Sequence, residues 1–251
     1  MKDIHIPTIE ELMQPEPEFS IEELADGYRI SGIQYHSQNC AYDLDRKYDP
    51  SLTHTQEEWG QLRDQARPKG EFYAGTAPEY YAILKALHKN KNNAQFKPVI
   101  EEARTYLQDV LKQQNPYMIT LSRAKYNPAG LDEIVHDFGT KEEQPPKPAK
   151  LAGPNGYITD KKTKAQDFVQ AVLGTTDTVE QISEVFKWVT GKETYAWRIS
   201  QPQNQQDWVV ALGVNDDDSF VINTYGNIYS NWPALGVRCA KNFAGNEGGM
   251  K

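Results

Sequence analysis

The stretch Met118-Ile-Thr-Leu-Ser-Arg-Ala-Lys-Tyr-Asn-Pro-Ala-Gly-Leu-Asp-Glu-Ile-Val-His136 marks a change of period along this chain. Side chains in 118–125 alternate with the period of two that is typical of a strand. Asn127-Pro-Ala-Gly130 supplies turn residues, and a second strand-like run follows at 132–138. The sequence therefore predicts a β-hairpin at this position.

Three amphipathic helices are predicted before the hairpin. Thr55-Gln-Glu-Glu58 has the Ser/Thr-x-x-Glu form of a capping box, and Thr76-Ala-Pro-Glu79 places a proline as at a helix start. A third helix is predicted from Pro98 to about Gln114, with apolar residues on one face and charged residues opposite. We expect these helices to form one packed layer.

The chain after the hairpin predicts a linker, two helices and short strands. Lys141-Glu-Glu-Gln-Pro-Pro-Lys-Pro148 carries three prolines in four positions, which suits neither a helix nor a strand ladder. Two helices are then predicted, the second starting at the capping box Thr178-x-x-Gln181. The last sixty residues contain short β-branched and aromatic runs separated by turn residues.

These patterns predict an α+β fold. The N-terminal part is expected to be a helical layer with a β-hairpin, and the C-terminal part to hold two helices followed by a small antiparallel sheet. The predicted units are an acidic arm at 1–26, a mainly helical domain at 27–140, a proline-rich linker at 141–152 and an α+β domain at 153–251.

The negative charge of this 251-residue chain is concentrated at its start. The formal net charge is −8, and residues 1–26 hold eight acidic residues against Lys2 alone. Within this arm Thr8-Ile-Glu-Glu-Leu12 recurs as Ser20-Ile-Glu-Glu-Leu24, and each copy has the form of a helix start. We expect the arm either to lie on the body as a solvated segment or to dock on a protein partner with a basic surface. The acidic balance disfavours binding of duplex nucleic acid, although the body by itself is nearly neutral.

Other sequence signals bear on the compartment. The first ten residues lack the unbroken apolar run of an export signal, and no window has the length of a membrane span. Cys40 and Cys239 permit one disulfide at most, unlike a secreted disulfide scaffold. We therefore expect a soluble cytoplasmic protein that does not bind a membrane. The sequence identifies no cofactor.

The C-terminal segment resembles a known family. Tyr195-Ala-Trp-Arg198, Trp208-Val-Val-Ala-Leu-Gly213, Tyr225-Gly226 and Leu235-Gly-Val-Arg-Cys-Ala-Lys241 occur in the order of the final strands of C-type-lectin-like domains, including the formylglycine-generating-enzyme type. The resemblance covers residues 195–242 and implies a scaffold whose loops bind a ligand or partner. It does not imply the enzyme activity, which needs paired cysteines where this segment has only Cys239.

Aromatic residues crowd the last third of the chain and suggest a recognition surface. Core packing in strands explains many of them. Tyr229-Ser-Asn-Trp-Pro233 is different, because its asparagine and proline indicate a loop. Our leading hypothesis is a non-catalytic binding or protein-interaction protein that uses Tyr229, Trp232, Arg238 and Trp197.

The alternative hypothesis is an enzyme of another kind, a metal-assisted hydrolase centred on residues 36–49. That reading requires five polar side chains to converge on one pocket: His36, Cys40, Asp43, Asp45 and His136. The motif lacks the four closely spaced ligands of a zinc site and the glycine and final glutamate of a calcium hand. The acidic run Asn215-Asp-Asp-Asp-Ser219 is interpreted as a hairpin turn, with a calcium site as the alternative. A structural role in a homo-oligomer is a third reading.

Overall fold

The computed structural model describes residues 18–35, 38–112 and 117–240. It contains helices from both halves of the chain, with a single 3₁₀ turn after the first. The α-helices of the described residues are α1 (Gln56–Ala66), α2 (Ala77–Lys89), α3 (Lys97–Leu111), α4 (Gln166–Leu173) and α5 (Val179–Thr190).

Strands outnumber helices in these residues. In chain order they are β1 (Ser20–Glu23), β2 (Gly27–Tyr35), β3 (Gln38–Asp45), β4 (Thr53–His54), β5 (Tyr73–Ala74), β6 (Met118–Tyr126), β7 (Asp132–His136), β8 (Lys147–Ala149), β9 (Gly156–Tyr157), β10 (Thr194–Trp197), β11 (Gln206–Val214), β12 (Phe220–Gly226), β13 (Trp232–Pro233) and β14 (Gly236–Cys239). A five-stranded sheet has the order β1-β2-β3-β14-β5, and a seven-stranded sheet has the order β8-β7-β6-β11-β12-β10-β9. The short strands β4 and β13 pair with each other.

Several local predictions are confirmed. The side chains of Thr55 and Thr178 each accept a hydrogen bond from the backbone N–H of the third helical residue. The side chains of those residues, Glu58 and Gln181, accept from the backbone N–H of Thr55 and Thr178, so both capping boxes form. Thr76 and Glu79 form a third capping box at the start of α2. The hairpin around Asn127-Pro-Ala-Gly130 is the antiparallel pair β6–β7. At these positions the groups that define the element are close together in the sequence, so the sequence identifies it.

The predicted fold class is wrong. The N-terminal part does not consist of a helical layer with one hairpin, because the described chain opens with β1, β2 and β3 as an antiparallel meander. The last strands do not form a small antiparallel sheet either. β10 pairs parallel to β12 in the seven-stranded sheet, and β14 pairs with β3 in the five-stranded sheet. Ser20, predicted as a helix start, begins β1, since pairing with β2 overrides its local preference. The first copy of that repeat, Thr8 to Leu12, lies outside the described residues.

Strands from both sides of the predicted linker 141–152 pair in one sheet. β8 lies inside that segment and pairs with β7, while β9 to β12 follow it in the chain and complete the seven-stranded sheet. β8 is an edge strand, where a proline such as Pro148 is tolerated because its missing N–H can face solvent. The segment thus contributes a strand as well as a connection.

Helix α2 lies at the centre of the molecule. It contacts β2 of the five-stranded sheet, β6 of the seven-stranded sheet and the helices α4 and α5. Its side chains are buried around most of its circumference, and the exposed Lys85 and Lys89 mark its narrow solvent face. One continuous apolar cluster accordingly includes residues of both sheets and all five helices.

A buried ion pair fixes the start of α2. Arg63 of α1 donates from Nη1 to Glu79 Oε2 over 2.8 Å and from Nη2 to Glu79 Oε1 over 3.2 Å, and both side chains are almost fully buried. Glu79 also accepts from the Thr76 backbone N–H at 2.8 Å. Burial by itself would raise the pKa of Glu79, but the Arg63 guanidinium and these hydrogen bonds outweigh it and hold that pKa below its usual value. Glu79 is therefore an ionised anchor.

None of the helices in the described part of the chain combines the length and hydrophobicity that crossing a membrane requires.

Replacing Arg63 by methionine is expected to lower the free energy of unfolding by about 3–5 kcal/mol, because it leaves buried carboxylates without their counter-charge. Urea denaturation measures this value. The loss should be larger at pH 8 than at pH 5, since unpaired buried carboxyls have raised pKa values and become neutral, and thus tolerable, at the lower pH. Arg67→Met is the matched control: Arg67 is 39% exposed and pairs with the exposed Glu142, so its loss should cost less than about 1 kcal/mol. Equal effects of the two substitutions would contradict the role given to Arg63.

Candidate functional site

An aromatic groove lies at one edge of the seven-stranded sheet. β9 is the last strand of that sheet, and its register places Tyr157 opposite Tyr195 of β10. Trp197, two residues along β10, points to the same face because side chains alternate. The groove has a volume of about 250 Å³, and its lining residues are Asn155, Tyr157, Tyr195, Trp197, Asn215, Asp217 and Ser219.

The aromatic rings of the groove are arranged at right angles and reach solvent. The rings of Tyr157 and Tyr195 have centroids 5.5 Å apart and an interplanar angle of 84°, an edge-to-face contact. Tyr157 is 46% exposed and Trp197 is 40% exposed. Large aromatic side chains that stay accessible on a rigid sheet are the kind of surface that binds partners with little loss of conformational entropy.

Arg198 holds the segment that carries Tyr157 against β10. Its guanidinium is buried and donates to the carbonyl oxygens of Leu151, Pro154 and Thr163. Its backbone N–H donates to Asn155 Oδ1 at 2.7 Å. Burial lowers the pKa of Arg198 from its usual value, and no carboxylate offsets this. A residue beside Trp197 therefore positions the opposite wall of the groove.

The second wall is the turn between β11 and β12. Asn215 accepts from the Ser219 backbone N–H through Oδ1 at 2.8 Å, and its backbone N–H donates to Ser219 O at 3.0 Å. The predicted hairpin turn at Asn215–Ser219 is confirmed. Tyr157 Oη lies 3.2 Å from Ser219 Oγ and joins the two walls. Lys192 forms an ion pair with Asp218, which leaves the exposed carboxylates of Asp216 and Asp217 to give the rim a negative charge.

The aromatic face extends beyond the groove along β12. Tyr225 shares the face of Trp197, since the parallel register sets Trp197 opposite Asn223. Its ring is 48% exposed and stacks on Trp208, with centroids 4.2 Å apart. Tyr157, Tyr195, Trp197 and Tyr225 together form a strip across three neighbouring strands, called here the aromatic strip.

The four residues predicted to bind belong to three segments of the chain, since Tyr229 and Trp232 are only three residues apart. Trp197 lines the groove, and Tyr229 is 83% exposed in the loop between β12 and β13. Trp232, in the two-stranded sheet, stacks on Tyr117, and its carbonyl accepts from Trp59 Nε1 at 2.8 Å. Arg238, in the five-stranded sheet, donates from Nε to Asp43 Oδ2 at 2.7 Å and also pairs with Asp26. The structure does not bring these four side chains together.

Sequence reasoning missed Tyr157, Asn155 and Tyr225. Tyr157 lies on a two-residue strand that has no detectable period, and it reaches the groove because Arg198 ties its segment to β10. The local sign was Gly153-Pro-Asn-Gly156, a run of turn-forming residue types just before Tyr157.

The described residues of the segment 36–49 point in different directions. Cys40 faces the core side of β3, whereas Asp43 on the opposite face receives Arg29 and Arg238. Asp45 accepts from the Lys47 backbone N–H, and His136 contacts Ser122 Oγ through Nδ1 at 2.8 Å. His36 lies outside the described residues. Among the residues that are described, no three or more His, Cys, Asp or Glu side chains are arranged to hold a metal ion.

Comparisons with protein-family models, with curated proteins and with solved structures find no match to this chain. The resemblance of residues 195–242 to C-type-lectin-like domains stays a prediction.

Arg198→Met is expected to loosen the segment 151–164, because several buried carbonyl oxygens lose their donor. Limited trypsin digestion tests this directly, since Lys161, Lys162 and Lys164 lie in that segment. Cleavage there should be at least about tenfold faster than in the unmodified protein, as expected when a segment opens locally. Lys150→Met, which removes only an exposed pair with Asp167, is the control and should leave the rate unchanged. An unchanged rate in Arg198→Met would show that the guanidinium does not hold this wall.

Proposed function

We propose that this protein is a non-catalytic interaction protein that binds an extended peptide segment on the aromatic strip. The observation that carries the proposal is the groove at Tyr157, Tyr195 and Trp197, which combines accessible aromatic rings with an acidic rim. Aromatic-lined grooves bind proline-rich segments, because such segments are already extended and lose little entropy on binding.

Charge selects the class of ligand. Asp217 lines the groove, and Asp216 beside it is also exposed, so a ligand with phosphate groups is repelled and a lysine or arginine side chain is attracted. The polar groups at the walls suit a peptide backbone as well. Asn155 uses its oxygen for the Arg198 N–H, which leaves its amide nitrogen to donate to a ligand carbonyl.

The dimensions of the site agree with a peptide. The groove volume of about 250 Å³ accepts side chains and not a folded domain, and the strip continues from it to Tyr225. A short aromatic anchor site with an acidic rim predicts weak, salt-sensitive binding whose association rate depends on the rim charge.

An array of immobilised 12-residue peptides tests the proposal. Each peptide has a proline-rich core flanked by arginine, by alanine or by glutamate. The arginine-flanked set should be captured best and the glutamate-flanked set least, and Trp197→Ala should reduce capture at least about tenfold, the effect of removing an interface aromatic anchor. Tyr229→Ala is the matched control, because Tyr229 is exposed but lies outside the groove, and it should retain full capture.

The competing outcomes are distinct. If Tyr229→Ala abolishes capture and Trp197→Ala does not, the recognition surface is the loop after β12 and the groove proposal fails. If the protein binds a glycan array and loses that binding in Trp197→Ala while ignoring the peptides, the site recognises a carbohydrate and the peptide proposal is overturned.

A further inference from the structure

A second groove lies between strand β2 and the solvent face of helix α2. Its volume is about 280 Å³. Four residues of α2 that line it recur at i, i+3, i+4 and i+7, so they share one face of the helix: Ala82, Lys85, Ala86 and Lys89. The two alanines are partly exposed and the two lysines are exposed. The groove therefore combines a shallow apolar surface with two accessible ammonium groups.

The positive charge extends past the groove. The segment 85–97 contains four basic side chains and no aspartate or glutamate: Lys85, Lys89, Lys91 and Lys97. Two carboxylates offset part of this charge, because Asp177 pairs with Lys85 at 2.7 Å and Glu184 of α5 acts on His88. The patch keeps a positive balance. An ammonium group has three N–H donors, so a lysine that already has one partner can donate to a further carboxylate.

The described chain enters the body at this groove. Phe19 lines it and packs its ring edge-to-face against Phe96, with centroids 5.7 Å apart. Gly32, in the irregular part of β2, has a φ of 74°, and a Cβ at this position would lie 2.9 Å from Phe19 Cα. A glycine here lets the backbone at 18–19 pass closely over β2. Residues 1–17 are thus attached at the mouth of the groove.

Residues 1–17 have the composition that such a groove would bind. They hold four acidic residues against Lys2 alone, and Glu10 and Glu11 stand directly beside the apolar Ile9 and Leu12. Six residues separate Leu12 from Phe19. An extended chain of that length spans up to about 20 Å, whereas the side of α2 from position 82 to position 89 is only about 10 Å long. The acidic segment is therefore long enough to reach every part of the groove.

We propose that residues 8–13 dock into this groove of their own chain. The apolar side chains of the segment cover Ala82 and Ala86, and its two glutamates pair with Lys85 and Lys89. The attachment at Phe19 keeps the local concentration of the segment high, so individually weak contacts are enough to hold it. Of the two arrangements expected for the acidic arm, this one places it on the body. It does not depend on the peptide site, which lies on another sheet.

Limited chymotrypsin digestion measures the docking, because this protease cleaves after leucine and methionine and the segment contains Leu12 and Met13. At low salt, cleavage there should be at least about tenfold slower than in a synthetic peptide of residues 1–17, since a docked segment must open before it is cut. Sodium chloride at about 1 M screens the ion pairs and should bring the two rates closer. Equal rates at low salt would overturn the proposal.

Charge substitutions test the partners of the segment. Glu10→Lys is expected to reduce the protection at least about threefold, because it places a positive charge against the lysines of α2. Asp3→Lys makes the same change of charge outside residues 8–13 and is the control, so it should keep its protection. Each rate is divided by that of a peptide with the same substitution. Equal losses of protection in the two variants would contradict a specific contact.

The same comparison is made on the groove. Lys89→Glu should also reduce the protection of the unmodified segment, whereas Lys161→Glu, an exposed lysine after β9, should not. Combining Lys89→Glu with Glu10→Lys restores an opposite pair and should recover part of the protection. A loss of protection that is equal in Lys89→Glu and Lys161→Glu would refute the assignment of this groove.

Carbodiimide cross-linking locates the segment in the unmodified protein. The reagent joins a carboxylate to a lysine Nζ through an amide, with loss of water, when the two groups are in contact. We expect Glu10 or Glu11 to be joined to Lys85 or Lys89 within the monomer. Links that join two molecules and disappear on dilution would assign the groove to a second copy of the chain. Either those links or an absence of links to both lysines would overturn the proposal, even if the variants failed to fold.

Discussion

The Arg63–Glu79 ion pair connects helix α1 to helix α2 and to strand β5 of the five-stranded sheet. Glu79 lies in the first turn of α2, Arg63 belongs to α1, and Arg63 Nη1 also donates to Ala74 O in β5 of the five-stranded sheet. From the same segment, the Gly75 carbonyl accepts from the Leu121 N–H of β6 in the other sheet. A charged pair of this kind contributes little net stability compared with apolar residues, but it is costly to separate. Its effect here is to allow one arrangement of helix and sheets.

The position of α2 follows from that junction. A helix that is buried on nearly all sides gains its stability from packing and not from its own amphipathicity, so its start must be fixed by specific polar contacts. Tyr80 in its first turn donates to Leu235 O at 2.6 Å, next to β14. The C-terminal strand is thereby attached to the same helix start as the N-terminal sheet, and the two ends of the described chain meet in one core.

The sequence predicted what local chemistry specifies. The capping boxes at Thr55 and Thr178 and the hairpin 118–136 each carry their own partners within a few residues, and all three are confirmed. The five-stranded sheet was missed because it forms from distant parts: Arg238 of β14 pairs with Asp43 of β3, 195 residues away in the chain. Trp197 was a candidate because aromatic residues crowd the last third of the chain. Its neighbour Tyr157 was not, since a guanidinium that bonds to carbonyls more than thirty residues away leaves no period in the sequence.

Two buried arginines are satisfied in different ways. Arg198 is satisfied by carbonyl oxygens, whose dipoles accept its hydrogen bonds without adding negative charge, so the groove it shapes owes its charge only to exposed rim carboxylates. Arg63 is satisfied by carboxylates, and two of them surround one guanidinium. Exposed charges are screened and steer a ligand, whereas a buried surplus must be neutralised by a proton or a cation. Asp137, which shares Arg63 with Glu79, has a raised pKa because its burial outweighs the effect of the guanidinium. That difference follows from which acceptors surround each guanidinium.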